Sequence, residues 1–304
     1  MDLDQRLAIS YYKPIAAINE PHHVYLVQHQ ETKKIAIKKV LDVYNLAVYA
    51  ELYRNPIAGT PRIINYYEEA GQLTVIEEYI SGTSLQDKIS HADIAPSDML
   101  QYMLDLCAIL EQLHQHNPAI IHRDVKPSNV IITSYNRAVL LDFNAAKYHT
   151  AAKDSDTILL GTQGYAAPEQ YGFGQSSPQT DIYSIGILLK EMAEASHCQN
   201  PYIDAVTAKC TQMNPAERYR SIGELRQAFL ANRGVFPYTH ADQAFTGDLS
   251  GSSSNRSNAQ TQNDPGTSAN HMQFAPPGFR SKTPWKMVVA LLTYCLLYTS
   301  PSPR

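Results

Sequence analysis

Residues 121–129 read Ile-His-Arg-Asp-Val-Lys-Pro-Ser-Asn, and the fold prediction rests mainly on them. A run of this composition is rare by chance, and two further motifs follow it along the chain. The sequence Asp-Phe-Asn begins at Asp142, 18 residues after Asp124, and the sequence Gly-Thr-Gln-Gly-Tyr-Ala-Ala-Pro-Glu ends at Glu169, 27 residues after Asp142. Any one of these charged residues alone would be an ordinary solvated charge, so the prediction depends on their joint spacing.

Residues 121–129 resemble the catalytic loop of eukaryotic-like protein kinases, in the Ser/Thr form found widely in bacteria. The resemblance extends over residues 10–230 and implies an α+β, bilobal protein kinase fold. We expect a small β-rich N-lobe with one helix over residues 10–80. A larger, mainly helical C-lobe is expected over residues 81–234.

Local sequence patterns agree with this division. Strands are predicted at residues 24–27, 34–38 and 73–76, and helices at residues 43–53, 182–195 and 222–230, and from the start signal Pro96-Ser97-Asp98 onward. Strands around a single helix are therefore expected first along the chain, and helices after them.

The resemblance implies the groups that phosphoryl transfer requires, namely an aligned hydroxyl, metal ions on the phosphates and positive charge. Asp124 matches the catalytic carboxylate that orients the substrate hydroxyl and accepts its proton, and Lys126 matches the lysine that reaches the γ-phosphate. Asn129 and Asp142 match the oxygen ligands of Mg²⁺, a hard cation that prefers such donors. ATP and Mg²⁺ are the implied nucleotide and cofactor.

The nucleotide-binding residues are implied by the same resemblance. Lys38, at the end of the run Ile-Ala-Ile-Lys, matches the lysine on the α and β phosphates. Glu51 is its expected ion-pair partner, because it lies on the helix predicted between Lys38 and the next strand, whereas the other glutamates of the region fall in predicted loops.

The adenine is expected to lie against the strand that ends at residue 78. Val24 and Ala36 would cover its face, and main-chain groups of Glu78 and Ile80 would bond its edge. This alignment places Glu77 behind the adenine, at a position that is usually apolar or Thr. Either Glu77 pairs with a buried cation or the register is wrong by one residue.

Two departures from the family pattern concern the phosphates. The three glycines that usually cover them are replaced by Ala17, Asn19 and His22, which prevent the backbone from approaching phosphate as closely as glycine allows. Asn144 follows Asp-Phe where the family has glycine, and Asn tolerates a left-handed backbone better than most residues. We expect weaker or differently shaped nucleotide binding.

Three further residues are assigned to architecture. The resemblance implies that Glu169 pairs with Arg218 and that Asp181 holds the backbone of the catalytic loop.

Thr150, Ser155 and Thr157 lie between Asp142 and Glu169, where related kinases carry activating phosphates. Arg123 could bind such a phosphate through two hydrogen bonds, so phosphorylation of this segment is expected to regulate the chain.

Composition excludes several other classes of function. The 25 Lys and Arg against 29 Asp and Glu give a formal charge of −4, which provides no basis for nucleic-acid binding. Four cysteines without a CxxC pair argue against a disulfide framework or a structural zinc site, and the 11 histidines lack ligand spacing. The N-terminus carries no secretory signal, so the catalytic domain is expected in the cytoplasm.

The C-terminal part of the chain changes character. Residues 235–282 are poor in large apolar residues, which predicts a disordered linker. Residues 287–298 form an apolar run of 12 after several basic residues and Trp285, which is typical of the cytoplasmic edge of a membrane helix but shorter than the roughly 20 residues of a spanning helix. Residues 295–304 resemble a translated sequencing adapter, so we expect a truncated chain with a membrane anchor beginning at residues 285–294.

The sequence thus predicts an ATP-dependent kinase for Ser/Thr hydroxyls of proteins, itself included. Two alternatives remain. A pseudokinase that binds nucleotide or a partner without turnover is favoured by the missing glycines and by Asn144. Transfer to a small molecule is opposed by the Ala-Pro-Glu segment and by Arg218.

Overall fold

A five-stranded antiparallel sheet forms the first part of the computed structural model, which describes residues 3–149, 162–172 and 174–235. The strand order in the sheet is β1-β2-β3-β5-β4. Strand β5 therefore lies between β3 and β4 and pairs with both of them. The strands are β1 (Tyr12–Asn19), β2 (Val24–His29), β3 (Ile35–Leu41), β4 (Ile63–Glu69) and β5 (Gln72–Glu78). All three predicted strands are confirmed.

The two faces of this sheet are covered by different helices. Residues Val27, Ala36 and Ile76 are buried on one face, where they pack with Ile9 of helix α1 (Leu3–Ser10). On the other face, β3 and β5 contribute to the large core that also receives helix α2 (Leu46–Arg54). Since side chains alternate along a strand, this face is the one that Lys39 shares with Leu41.

Helices dominate the part of the structure after β5. They are α3 (Leu85–Ser90), α4 (Pro96–His114), α5 (Pro178–Ala195), α6 (Pro201–Cys210) and α7 (Ile222–Ala231). Helix α4 begins at the predicted start signal. One side of the helix is completely buried, and it consists of Met99, Met103, Leu106, Leu110 and Leu113. A β-rich region followed by a helical one confirms the α+β bilobal fold.

Five short strands hold the loops of the helical region. Strands β6 (Gly82–Ser84), β8 (Val130–Thr133) and β9 (Ala138–Leu140) form one small sheet, and β7 (Ile120–Ile121) pairs with β10 (Lys147–Tyr148). The stretch 122–129 therefore lies between β7 and β8, both of which are buried.

Buried polar contacts fix the catalytic stretch to this framework. The carboxylate of Asp181 accepts hydrogen bonds from the backbone N–H groups of His122 (2.9 Å) and Arg123 (2.8 Å), as predicted. Burial would raise the pKa of Asp181, but the hydrogen bond with His114 and the other charged and backbone donors around it lower it.

The pair predicted between Glu169 and Arg218 also forms. Arg218 binds both carboxylate oxygens of Glu169, at 2.8 and 2.9 Å, and both side chains are almost fully buried. This bidentate contact joins the segment before α5 to the segment before α7.

Several predictions fall outside the described residues. They are the phosphorylation sites at Thr150, Ser155 and Thr157, most of the linker at residues 235–282, the apolar run at residues 287–298 and the adapter-like residues 295–304. Within the described ranges, no helix is long and apolar enough to cross a membrane.

Candidate active site

Three polar side chains surround the carboxylate of Asp124, which lies in the loop between β7 and β8. The amide of Asn129 donates to the Asp124 carboxylate at 2.9 Å and to its backbone carbonyl at 2.9 Å, and Lys126 Nζ lies 2.9 Å from the same carboxylate. The hydroxyl of Thr162 donates to Asp124 Oδ1 at 2.8 Å and accepts from Lys126 Nζ at 2.7 Å. The carboxylate is therefore oriented by three side chains at once.

The charges of this cluster keep Asp124 ionised. Burial would raise the pKa of Asp124, but the Lys126 ammonium and the hydrogen bond from Thr162 lower it below its ordinary value. Asp124 is thus an acceptor at neutral pH. Its position and charge suit it to receive a proton from a hydroxyl group.

Thr162 is a site residue that the sequence prediction missed. It lies directly after Gly161 in the third motif, 38 residues from Asp124, yet it contacts two residues of the catalytic loop. The available signal was its place in the motif that ends at Glu169, but that motif was interpreted as architecture.

Asn129 and Asp142 are brought together by the backbone. The N–H of Leu141 donates to the Asn129 carbonyl at 2.8 Å, which places Asp142 beside the catalytic loop. His122 reinforces this arrangement, since its Nε2 contacts the Leu141 carbonyl at 3.0 Å and its ring packs against Phe143. Burial lowers the pKa of His122, so the ring is neutral there.

These two residues fit a divalent cation. Both hydrogen bonds of the Asn129 side chain use its NH₂ group, which leaves its oxygen as a ligand, and Asp142 contributes carboxylate oxygens. Such hard oxygen donors suit Mg²⁺. Asp142 adopts a left-handed backbone with φ of 66°, whereas Asn144 does not have a positive φ. The left-handed residue of this motif is therefore Asp142 and not Asn144, where the sequence suggested it.

The lysine beside Asp142 is Lys39, which corrects the prediction of Lys38. Lys39 Nζ lies 3.5 Å from Asp142 Oδ1 and the side chain is 9% exposed. Adjacent residues of a strand point to opposite faces, so Lys38 shares the face of Ala36 and Ile76, which α1 covers. A shift of one residue in register thus exchanges the two lysines.

The same register overturns the prediction that Ala36 covers the adenine. Ala36 is 1% exposed and packs with Val27, Ile76 and Ile9, on the face opposite Lys39. Val24 is the cross-strand partner of Lys39 and lies on the Lys39 face.

The ion pair predicted between Lys38 and Glu51 is also wrong. Lys39 pairs with Glu77 at 2.8 Å, so of the two alternatives for Glu77 the buried cation is the correct one. Glu51 instead contacts Asn55 (2.8 Å), Arg54 (3.4 Å) and His116 (3.5 Å).

Helical phase explains the position of Glu51. Tyr49 is the α2 residue that reaches the Asp142-Phe143-Asn144 motif, with its hydroxyl donating to Asn144 Oδ1 at 2.6 Å. Two residues further along a helix correspond to a rotation of about 200°, so Glu51 lies on the other side.

The two residues predicted to bond the edge of the adenine lie at the end of β5 and just after it. Glu78 is the last residue of the strand and its N–H donates to the Arg62 carbonyl at 2.9 Å, while Ile80 lies between β5 and β6. Their contacts with adenine stay a prediction.

The loop that usually carries three glycines is a tight turn here. Residues Glu20–His22 form one turn of 3₁₀ helix, and His23 closes it with φ of 51°. Asn19 pairs with Val24 across the hairpin. This turn has a different backbone course from an open glycine loop.

The chain matches a known family over most of this structure. Residues 22–229 match the family described as protein kinase domain. This range extends from β2 into α7 and includes every residue of the cluster around Asp124.

Curated relatives of the chain are described as Ser/Thr kinases. The serine/threonine-protein kinase PknB of Mycolicibacterium smegmatis is 30% identical over 227 residues, which cover 63% of this chain and 36% of that protein. Serine/threonine-protein kinase D of Synechocystis is 32% identical over 207 residues, 58% of this chain and 40% of that protein. A putative leucine-rich repeat receptor-like serine/threonine-protein kinase of Arabidopsis thaliana is 38% identical over 136 residues, 43% of this chain and 16% of that protein. The chain thus spans less than half the length of these three relatives.

Proposed function

The chain belongs to the protein kinase domain family, and on that premise we propose that it transfers the γ-phosphate of ATP to Ser and Thr hydroxyls of proteins, itself included. The observation that carries the proposal is the cluster in which Thr162, Lys126 and Asn129 orient the ionised Asp124. The names of the bacterial relatives, which are serine/threonine-protein kinases, support Ser and Thr as the acceptors.

The side chains divide the reaction between them. The substrate hydroxyl oxygen forms a bond to the γ-phosphorus while the bond from that phosphorus to the β,γ-bridging oxygen breaks, and ADP leaves. Asp124 orients the hydroxyl and takes its proton. Lys126, next to Asp124, places positive charge at the transferring group.

Lys39 takes the role that the sequence gave to Lys38. Its ammonium lies within 3.5 Å of Asp142, so it can bind the α and β phosphates beside the metal ligands. Mg²⁺ held by Asn129 and Asp142 would neutralise the charge that develops on the phosphate oxygens.

The test is transfer of labelled phosphate from Mg-ATP by the whole chain, to itself and to a generic basic protein. Asp124→Asn keeps the size of the side chain but removes the base, so we expect incorporation to fall at least about 100-fold. Asp42→Asn is the control, because Asp42 is exposed and contacts Gln72 on the surface.

Incorporation on Ser and Thr by the wild type and by Asp42→Asn, lost in Asp124→Asn, is the expected result. A wild-type chain that binds ATP without incorporating phosphate would contradict the proposal. That outcome would favour a pseudokinase, the alternative suggested by Ala17, Asn19 and His22.

We also propose that residues 285–294 begin a helix that attaches the chain to a membrane. The support is the sequence alone, an apolar run that follows Arg280, Lys282, Trp285 and Lys286. Cosedimentation with phospholipid vesicles tests it: the whole chain should bind and a chain ending at residue 282 should not. Equal recovery of both in the supernatant would contradict it.

A further inference from the structure

A buried ion pair joins two neighbouring strands of the large sheet. Lys39 Nζ lies 2.8 Å from Glu77 Oε1, and each side chain is 9% exposed. In the β3–β5 ladder, Lys39 is opposite Val75 and Ile37 is opposite Glu77. Lys39 and Glu77 are therefore diagonal neighbours on one face, a separation that long side chains span easily.

Because the contact is buried, it fixes the position of the Lys39 ammonium group. A buried charge is costly unless it is paired, so the ammonium group stays where its carboxylate partners are. Burial alone would lower the pKa of Lys39, but Glu77 and Asp142 outweigh it and raise the pKa above its ordinary value.

A bound metal ion would affect the two carboxylates near Lys39 differently. Asp142 is a proposed metal ligand, and a cation there would weaken its attraction for Lys39. Glu77 contacts Lys39 at the shorter distance and is not one of the proposed ligands. It is then the carboxylate that retains Lys39 while the lysine binds phosphate.

Helix α2 does not supply this carboxylate. Its sequence, Leu-Ala-Val-Tyr-Ala-Glu-Leu-Tyr-Arg, contains one acidic residue, Glu51. Glu51 contacts Asn55 and His116 instead.

We infer that Glu77 is the positioning residue for Lys39, so that the phosphate-binding lysine is held within the sheet and independently of the position of α2. The inference rests on the proposed function, which it deepens. Its consequence is that movement of α2 leaves the Lys39–Glu77 pair intact, because both partners belong to hydrogen-bonded strands.

The test compares three variants of the whole chain. Glu77→Met removes the charge at similar length, Glu77→Asp restores a carboxylate, and Glu51→Gln removes the charge of α2. We measure equilibrium binding of Mg-ATP together with kcat and KM for ATP.

We expect Glu77→Met to lower ATP affinity and kcat/KM at least about tenfold, since it removes a close charged contact. Glu77→Asp should recover part of the loss, and Glu51→Gln should lose far less.

Rescue by the conservative variant separates positioning from a merely structural role. Glu77→Asp restores a carboxylate on the same strand, so it should recover ATP affinity if Glu77 acts by holding the Lys39 ammonium group. Circular dichroism shows whether each variant is folded before its ATP affinity is compared. Glu77→Gln, which is isosteric, serves if Glu77→Met does not fold.

Either of two results would overturn the inference. One is that Glu51→Gln weakens ATP binding as much as Glu77→Met does. The other is that every folded Glu77 variant binds ATP with wild-type affinity. Because ATP binding is measured without turnover, a wild type that binds ATP but transfers no phosphate would sink the proposed function and leave this inference standing.

Discussion

Thr162 connects the two charged residues of the catalytic loop to a segment far along the chain. Its hydroxyl donates to Asp124 and accepts from Lys126, so a single side chain sets the separation of a carboxylate and an ammonium group. Both contacts depend on the hydroxyl and not on the methyl group. A threonine or a serine satisfies them, whereas an apolar residue of the same shape does not.

Replacing Thr162 with valine should reduce kcat more than it changes KM for ATP. A hydrogen bond to a charged group contributes about 1.5–3 kcal/mol, which corresponds to a loss of about 10- to 100-fold. Steady-state kinetics of phosphate transfer measure this effect. Thr162→Ser is the control and should stay close to wild type; a Thr162→Val enzyme with unchanged kcat would refute the role.

Single residues show where the sequence could predict the site and where it could not. Asp124, Asn129 and Asp142 were identified by motif because their spacing along the chain fixes them. The run Ile-Ala-Ile-Lys predicts Lys38, but the adjacent Lys39 belongs to the same strand. Only the pairing of β3 with β5 decides which lysine points to the site, and that register depends on contacts distant in sequence.

Tyr49 connects helix α2 to the Asp142-Phe143-Asn144 motif by a hydrogen bond. The ring is 1% exposed and its hydroxyl donates to Asn144 Oδ1, two residues after Asp142. Burial, and after it the charges of Asp142 and Glu77, raise the pKa of Tyr49, so the hydroxyl remains a donor. The helix and the motif are thus joined by a neutral hydrogen bond.

Tyr49→Phe removes this bond without changing the packing of the ring. We expect the Mg²⁺ concentration for half-maximal activity to rise about fivefold, because one hydrogen bond contributes about 1 kcal/mol. Titration of activity with Mg²⁺ provides the measurement. Tyr53→Phe on the same helix is the matched control, since Tyr53 is 40% exposed and packs edge-on against Tyr66. Identical titrations for the two variants would argue against the link.

Elements were easier to predict than their orientation. The apolar spacing of residues 43–53 predicted a helix, and α2 runs from Leu46 to Arg54. The same spacing did not reveal which side faces Asp142, because Tyr49 and Glu51 are both plausible inward residues until the neighbouring loop is in place. The sequence therefore predicts an ion pair between Glu51 and the lysine, whereas in the structure Glu77 pairs with Lys39 and Tyr49 contacts Asn144.

The molecule as a whole depends on a few buried polar connections between distant segments. Arg218 and Glu169 are 49 residues apart, yet they form a bidentate pair with side chains 0% and 5% exposed. Arg218 also donates to the backbone carbonyls of Gln212 and Gln179. Loss of either charge would leave the other buried without its partner.

Arg218→Leu should lower the free energy of unfolding by about 3–5 kcal/mol, since it leaves the Glu169 carboxylate buried and uncompensated. Urea denaturation monitored by circular dichroism measures the change. The control is Lys190→Leu, because Lys190 pairs with Glu194 at 3.8 Å on an exposed surface of α5 and such pairs contribute little. Equal unfolding midpoints for the two variants would contradict this account of the buried pair.

The sequence predicted the fold of the whole molecule better than it predicted the orientation of single side chains. The order of the motifs implied a β-rich region followed by helices, and the fold has that order. Glu169, Arg218 and Asp181 were paired correctly because each belongs to a motif with a strong local signature.

The central claim is that the nucleotide phosphates are bound beside Asp142 by Lys39 and not by its neighbour Lys38. The measurement is phosphate transfer from Mg-ATP by the whole chain carrying Lys39→Met or Lys38→Met. We predict that Lys39→Met loses transfer at least about 100-fold, as expected when one donor to a reacting group is removed. Lys38→Met, on the face covered by α1, should retain nearly all of it. Loss in Lys38→Met with activity kept in Lys39→Met would contradict the account.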